Sequence, residues 1–556
     1  MTEHAVQIVL PGGATEEVTV SSDVVLKTVA DRYADRYDFP ILGAVCDNRL
    51  IPLEAKVNSC GRIEFLTIRD RDGRLIFLRS LLFILVKASK EMFSHAKLHI
   101  EYGIGNGLYC YFEGLEWIRL EEVDALEKRM REIIAQDIRF IHKQMPTAEA
   151  VALFKEASML DKVRLLSTRA DALSSVYWLE NTIDYFYGHL AYSTGAVHDF
   201  RLQYYNRGIV LLLPDPNDPT RVEAFKDQPK FFNIITENKK WLDILDLDNC
   251  GQLNEAVRRG RTKEVILVAE SLHEKKLAFI ADEMHRRRET VRIISIAGPS
   301  SSGKTTTANR LAVQLRVNGF RPLLISLDNY FIDRDKTPKD ESGKHDFEGL
   351  DAIDVALFND QLTRLLTGKG TNLQRYDFLT GKSTRGETKY RLPKNGVIIV
   401  EGIHGLNPKL FTDLSYDFIY KVYVSALANL NLDHHNRIPT TDCRILRRIV
   451  RDAQTRGHDA MATIDRWPSV RRGEERNIFP YQERADIMFN SSLVYELSVL
   501  RKYADPLLKQ IPVDRREYLE ARRLLKFLSY FEPIDETFIP FNSILREFIG
   551  GSAFDY

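Results

Sequence analysis

The sequence has little cysteine: five residues in 556, at Cys46, Cys60, Cys110, Cys250 and Cys443, with no CxxC pair among them. Thiols so dispersed suggest neither a zinc ribbon nor a disulfide framework, and point to a reducing cytosol. Net charge is also missing, because 78 basic residues balance 78 acidic ones. No whole-protein field then draws the chain to nucleic acid or an anionic membrane, and any such contact has to be local. Long apolar runs are absent too: the best stretch, Leu75 to Val86, is interrupted by Arg79 and is too short to span a bilayer. The opening MTEHAVQIVLPGG has neither the basic start nor the apolar stretch of a signal peptide, so a cytoplasmic protein is expected. There is no internal repeat and no low-complexity segment.

What is present is ordinary globular composition, 44% hydrophobic, in a chain too long for a single core. Residues 4–10 alternate and meet Pro-Gly-Gly, Asp23 to Tyr37 has helical spacing, and Gly43 to Cys46 and Arg62 to Ile68 read as strands. A small α+β module at 1–69 follows from this. A helix at 75–95, a Gly-rich segment, two amphipathic helices between Glu121 and Leu166 and aromatic strands from Tyr204 to Leu213 make a second α+β unit at 70–240. Helices at 241–289 connect the halves, with Ile266, Ala269, Leu272, Ile280 and Met284 near one face. From Val291 the texture changes to short apolar runs (RIISIAG, PLLISLD, GVIIVEG, FIYKVYV) between helical patterns, the signature of a parallel sheet covered on both sides. This α/β unit is expected at 290–500, with a helical extension at 501–556 that carries packing or subunit contacts, which admits a homo-oligomer.

Gly298-Pro299-Ser300-Ser301-Ser302-Gly303-Lys304-Thr305 fits GxxxxGK[ST] between an apolar strand and a helix that continues from Thr306. Backbone amides of such a loop curl around phosphate oxygens, Lys304 reaches the outer phosphates, and the Thr305 hydroxyl is placed to ligate Mg²⁺. The implied cofactors are ATP and Mg²⁺. Asp328 ends the next apolar strand, where a base for an attacking hydroxyl belongs, although an N-cap or turn aspartate explains it nearly as well. Glu401 ends the strand Val397 to Val400, the place of an acid facing the metal. Between Arg444 and Arg476 nine arginines (Arg444, Arg447, Arg448, Arg451, Arg456, Arg466, Arg471, Arg472, Arg476) suit a lid that closes over a transferring phosphoryl group; a solvated helix face is the plainer explanation for any one of them.

Together these motifs resemble the uridine kinase and phosphoribulokinase family across about residues 291–500. The resemblance implies catalysis by Asp328. A segment of the type NFDHPDAFD is similar to Asp346-Phe347-Glu348-Gly349-Leu350-Asp351-Ala352-Ile353-Asp354, which implies that Glu348 holds ribose hydroxyls. The family's YDF appears as Tyr376-Asp377-Phe378, implying a nucleoside site at Tyr376. Its lid pattern RRxxRDxxxRG matches Arg447 to Gly457 and implies Arg448, Arg451 and Arg456 as lid arginines. Two positions depart: the base-reading histidine is Gly381 and the last lid arginine is His458. The acceptor base therefore stays open, with uridine first among nucleosides.

The front half resembles threonyl-tRNA synthetases: residues 4–68 a TGS domain of β-grasp form, and 70 to about 215 the adjoining editing domain. The family's hydrolytic His pair and Cys-His pair fall on Arg79, Phe83, Tyr185 and His189, so only one histidine survives. This implies lost hydrolysis with the shape kept, for RNA, a regulatory ligand or structure alone. The expected activity is an ATP-dependent nucleoside kinase. Its rivals are a kinase of another sugar or small alcohol of the phosphoribulokinase type, and a non-catalytic ATP-binding, RNA-associated regulator.

Overall fold

The alternating first residues pair as strands. In the computed structural model, which describes residues 3–58, 60–169, 171–340, 343–412 and 414–555, Glu3–Val9 runs antiparallel to Thr15–Ser21 and parallel to Arg62–Leu66. Gly43–Cys46 and Arg49–Ile51 complete a five-stranded sheet with Arg62–Leu66 at its centre. Val6, Ile8, Ala44, Ile63 and Phe65 bury against Leu26, Val29 and Ala30 of the one-and-a-half-turn helix Leu26–Asp31.

Cys46 and Cys60 are joined by a disulfide, their Cα atoms 5.8 Å apart, which corrects the expectation of unpaired thiols. Antiparallel pairing of Gly43–Cys46 with Arg62–Leu66 brings the two together, although 14 residues separate them along the chain.

The helix Arg71–Met92 is buried over most of its length, with Ile76, Leu81, Phe83, Ile84 and Leu85 fully enclosed. Beside it lies an antiparallel sheet in the order Arg201–Tyr205, Gly208–Leu212, Gly107–Glu113, Lys97–Ile104. A second antiparallel sheet centres on Leu173–Leu179, between Ile141–Pro146 and Thr182–Asp184. Three helices, not two, occupy the stretch before it: Leu120–Ala135, Thr147–Glu156 and Leu160–Ser167. Pro146 ends the intervening strand, and Ser158 in the left-handed region (φ 58°) breaks the second helix from the third.

The helix Thr262–Arg286 buries Val265, Ile266, Ala269, Leu277, Ile280 and Met284 and packs on Lys304–Val317. The second-half sheet has the order Arg321–Ser326, Gly396–Glu401, Ile293–Ala297, Ile419–Ser425, Ile487–Asn490, parallel throughout. Ile293–Ala297 and Gly396–Glu401 are buried at every residue, which is why they read as unbroken apolar runs. The fifth strand has only four residues, too short to show a period.

Front and back halves share a core. One cluster holds Phe154, Leu165 and Tyr185 of the front together with Ile294, Leu311, Leu446 and Phe527 of the back. Lys162, wholly buried, ion-pairs with Asp433 at 2.5 Å and Asp184 at 3.1 Å, and His435 meets Asp184 at 2.6 Å. An ammonium enclosed this way is tolerable only because carboxylates surround it. The Ile100 amide donates to the His434 carbonyl at 2.9 Å, while the His434 ring lies 4.1 Å from that of His99 and ion-pairs with Asp248. A chain of ion pairs, Arg71 to Glu520 to Arg523 to Asp442, ties the front helix to the C-terminal extension and to the helix Thr440–Thr455. Among the described residues no helix is long and apolar enough to cross a membrane.

Candidate active site

The loop of residues 298–303 leaves the central strand Ile293–Ala297 at its C-terminal end and opens the helix Lys304–Val317. This is where parallel sheets gather ligands. Gly298 is required sterically: a Cβ there would lie 2.0 Å from the Val424 carbonyl oxygen. The loop is held from below. Ser491 donates its hydroxyl to the Ser302 carbonyl at 2.5 Å, Arg444 donates to the Ser300 carbonyl at 3.2 Å, and the Ser300 amide donates to Glu474 at 3.2 Å. Lys304 folds back over the loop, its ammonium donating to the Pro299 carbonyl at 3.1 Å. Thr305 and Thr306 form the first turn of the helix, whose N-terminal end carries partial positive charge.

Three acidic groups face this end of the sheet. Glu401 closes its strand, accepts from the Ser326 hydroxyl at 2.6 Å, and is pushed up to about 7 by burial, with Asp328 and Glu547 adding and Lys304 opposing. Asp328 lies just past Arg321–Ser326 in a single 3₁₀ turn, within electrostatic reach of Glu401, Glu348 and Arg456. Glu348 is also pushed up to about 7, by burial first and then by Glu474 and Asp328, while Arg448 and Lys304 pull the other way. Burial and mutual repulsion thus leave Glu401 and Glu348 resisting ionisation at this end of the sheet.

Phe347, next to Glu348 in sequence, belongs to an aromatic cluster. Tyr376 stacks edge-on to Phe331 at 5.5 Å and to Phe378 at 5.1 Å, and Phe331 meets Phe347 at 5.7 Å. The Tyr376 hydroxyl is buried without a hydrogen-bond partner among the described residues. A buried orphan hydroxyl is costly and calls for an incoming partner. Gly381 sits at the turn between Thr371–Asp377 and Lys382–Tyr390 with φ 70°, and a Cβ there would meet the Arg334 side chain at 2.8 Å. Arg334 thus fills the flank of position 381 and donates to the Phe378 carbonyl at 2.5 Å. Nothing in the local sequence marks it, because it arrives from a separate 3₁₀ turn.

The arginines divide by depth. Arg444 and Arg447 on the helix Thr440–Thr455 are buried. Arg444 pairs with Glu474, and Arg447 pairs with Glu496 and donates to the Ser491 carbonyl. Both brace the phosphate loop from underneath. Arg448 donates to the Ser300 hydroxyl at 2.9 Å, and Asp452 gathers Arg448, Arg451 and Arg456 at 3.2, 3.0 and 3.7 Å. Asp452 therefore aligns three guanidiniums beside the loop. Its part was visible in the sequence only as a lone acid among bases. His458 pairs with Arg466 at 3.3 Å, and Arg471 shares Glu474 with Arg444.

In the front half, Phe83 packs on Phe140 and Phe186, Arg79 lies over the Tyr187 ring, and the Tyr185 hydroxyl meets that of Tyr530. His189 is held well below its ordinary range by burial and by Lys526 and Arg79, at about 3. These four positions offer a metal no ligand set.

A phosphate loop at the C-terminal edge of a parallel sheet, with facing acids and guanidiniums, defines a P-loop phosphotransferase. The model of the Phosphoribulokinase / Uridine kinase family matches residues 293–497, and the chain belongs to that family through this part. A uridine kinase of Macrococcus caseolyticus is 34% identical over 197 residues, which are 35% of this chain and 86% of that protein. A uridine kinase of Staphylococcus aureus is 32% identical with the same coverage. Among solved structures, a possible uridine kinase from Bacillus stearothermophilus is 21% identical, spanning 39% of this chain and 98% of that one with a TM-score of 0.27.

Proposed function

We propose that the chain is an ATP-dependent nucleoside kinase that moves the γ-phosphoryl group of ATP to a nucleoside 5′-hydroxyl, with uridine the first acceptor to test. The reading is carried by the phosphate loop together with Glu348, which feels the charges of both Asp328 and Lys304, and it is supported by the unpartnered Tyr376 hydroxyl among the rings of Phe331 and Phe378. A ribose suits such groups, because a carboxylate accepts from two hydroxyls at once and aromatic rings can cover a base.

In this reading backbone amides of the loop 298–303, Pro299 excepted, and Lys304 hold the phosphates in place. Asp328 accepts the proton of the attacking hydroxyl, and Arg448, Arg451 and Arg456 neutralise charge that builds on the transferring group. Thr305 and Glu401 would hold Mg²⁺, which when bound neutralises phosphate charge. Glu348, Tyr376 and Arg448 fix the sugar end. A phosphorylation assay across the common nucleosides tests the proposal: no turnover with any of them, in a protein that still binds ATP, refutes it. The flank of Gly381 filled by Arg334 favours a second acceptor class, another sugar or small alcohol, and the same assay extended to sugars separates the two.

For the front half we propose that 1–69 is a TGS-like module and 70–240 an editing-like domain without hydrolysis, 241–289 joining them to the kinase unit at 290–500 and its extension at 501–556. RNA is the partner to test there, by asking whether it copurifies with the protein and is lost when surface lysines of the front half are changed.

A further inference from the structure

The C-terminal extension reaches the phosphate loop. Its last helix, Arg546–Ile549, is anchored by Leu545 and Phe548, both fully buried, in the same cluster as Ala308 and Leu311 of the loop helix. Phe548 lies under the Arg447 guanidinium at 4.9 Å, and Ile544 presses so close to Gly303 that a Cβ there would come within 2.6 Å of it. Arg546 donates to the carbonyls of Glu536 and Ile539 at 3.0 and 2.9 Å, which folds the segment back on itself.

This anchoring delivers Glu547 to the first turn of the helix Lys304–Val317. Its carboxylate accepts from the Thr306 hydroxyl at 2.5 Å and from the Thr306 amide at 3.4 Å, and stands 4.0 Å from Arg451. The amides of this turn belong to the cradle in which a P-loop holds phosphate oxygens. An anion of the chain's own therefore sits where an anion of the nucleotide has to go, and two anions cannot share one hydroxyl, one amide and one guanidinium.

We propose that Glu547 is a nucleotide-gating residue: the C-terminal segment occupies the phosphate seat at Thr306, and nucleotide binds by displacing it. The inference rests on the phosphate loop being the nucleotide site and not on the identity of the acceptor. The segment couples occupancy of the loop to order at the end of the chain, since Ile544, Leu545 and Phe548 move with Glu547 or strain against it.

The test is direct binding of Mg·ADP to the full chain by calorimetry, with Glu547→Gln and Glu547→Ala. Losing a charge-assisted competitor tightens binding at least tenfold in Glu547→Ala and by a smaller factor in Glu547→Gln, which keeps the shape and guards against misfolding. Hydrogen exchange of residues 544–551 quickens when Mg·ADP is added to the parent. Equal or weaker binding in both variants, or slower exchange with nucleotide, overturns the gate while leaving the nucleotide site standing. No binding in parent or variants overturns the phosphate-loop reading and the gate with it.

Discussion

Glu474 is the most exacting place to perturb this site. Its side chain is fully enclosed, pairs with Arg444 through both oxygens, receives Arg471 at 2.8 Å, and accepts from the Ser300 amide. Burial alone would raise its affinity for protons, but Arg444 and Arg471 outweigh it and hold the carboxyl below its ordinary range. Glu474→Gln leaves Arg444, 1% exposed, as an enclosed charge without a counter-ion, and breaking a buried pair in this way costs about 3–5 kcal/mol. Arg444→Met is milder, because Glu474 keeps Arg471, whose side chain is 27% exposed; the loss there is about 1.5–3 kcal/mol, that of a hydrogen bond to a charged group. The double variant loses less than the sum, since neither charge is stranded. Trp467 lies 5.4 Å from the Arg444 guanidinium, so denaturant unfolding followed by tryptophan fluorescence reports on this region. Equal costs for the two single variants, or a Glu474→Gln cost below about 1 kcal/mol, would refute the reasoning.

Three further outcomes are expected. Asp328→Asn, which keeps size and removes the proposed proton acceptor, lowers turnover by about 10²–10⁴ while Mg·ADP affinity is unchanged; a loss under about tenfold in steady-state kinetics denies Asp328 that role. Glu348 has a raised folded value, about 7, so its contribution to stability is full below the ordinary carboxylate range and is lost as pH rises through 7. Glu348→Gln, neutral at every pH, should therefore gain stability relative to the parent between about pH 5 and pH 8, read from unfolding midpoints; a constant difference contradicts the assignment. Cys46→Ser opens a cross-link between residues 14 apart and weakens the N-terminal sheet by about 3 kcal/mol, and a reductant added to the parent reproduces the shift.

The back half was legible because its strands read as apolar runs. Glu401 ends one such strand, Asp328 lies just past another in a 3₁₀ turn, and the phosphate loop stands between a strand and a helix. Arg444 and Arg448 differ by four positions and look alike in sequence, yet one braces the loop from inside and the other meets its surface at Ser300. Periodicity gives the face of a helix but not which neighbour will cover it. Arg334, Glu474 and Glu547 were invisible for another reason. Each reaches the site from a remote element, and the contact exists only after the chain has folded. The Cys46–Cys60 bond was missed on the same ground.

The enclosed ammonium at Lys162 has a consequence for how this molecule can be taken apart. Its carboxylate partners come from both sides of the joint, Asp184 from the front and Asp433 from the segment that leads into the helix bearing Arg444 to Arg451. Cutting the gene ahead of the phosphate loop would strand Asp433 and bare an oily flank, so the catalytic piece should aggregate where the whole chain does not. The joint thus pins the front half to the very segment that enters the arginine-bearing helix.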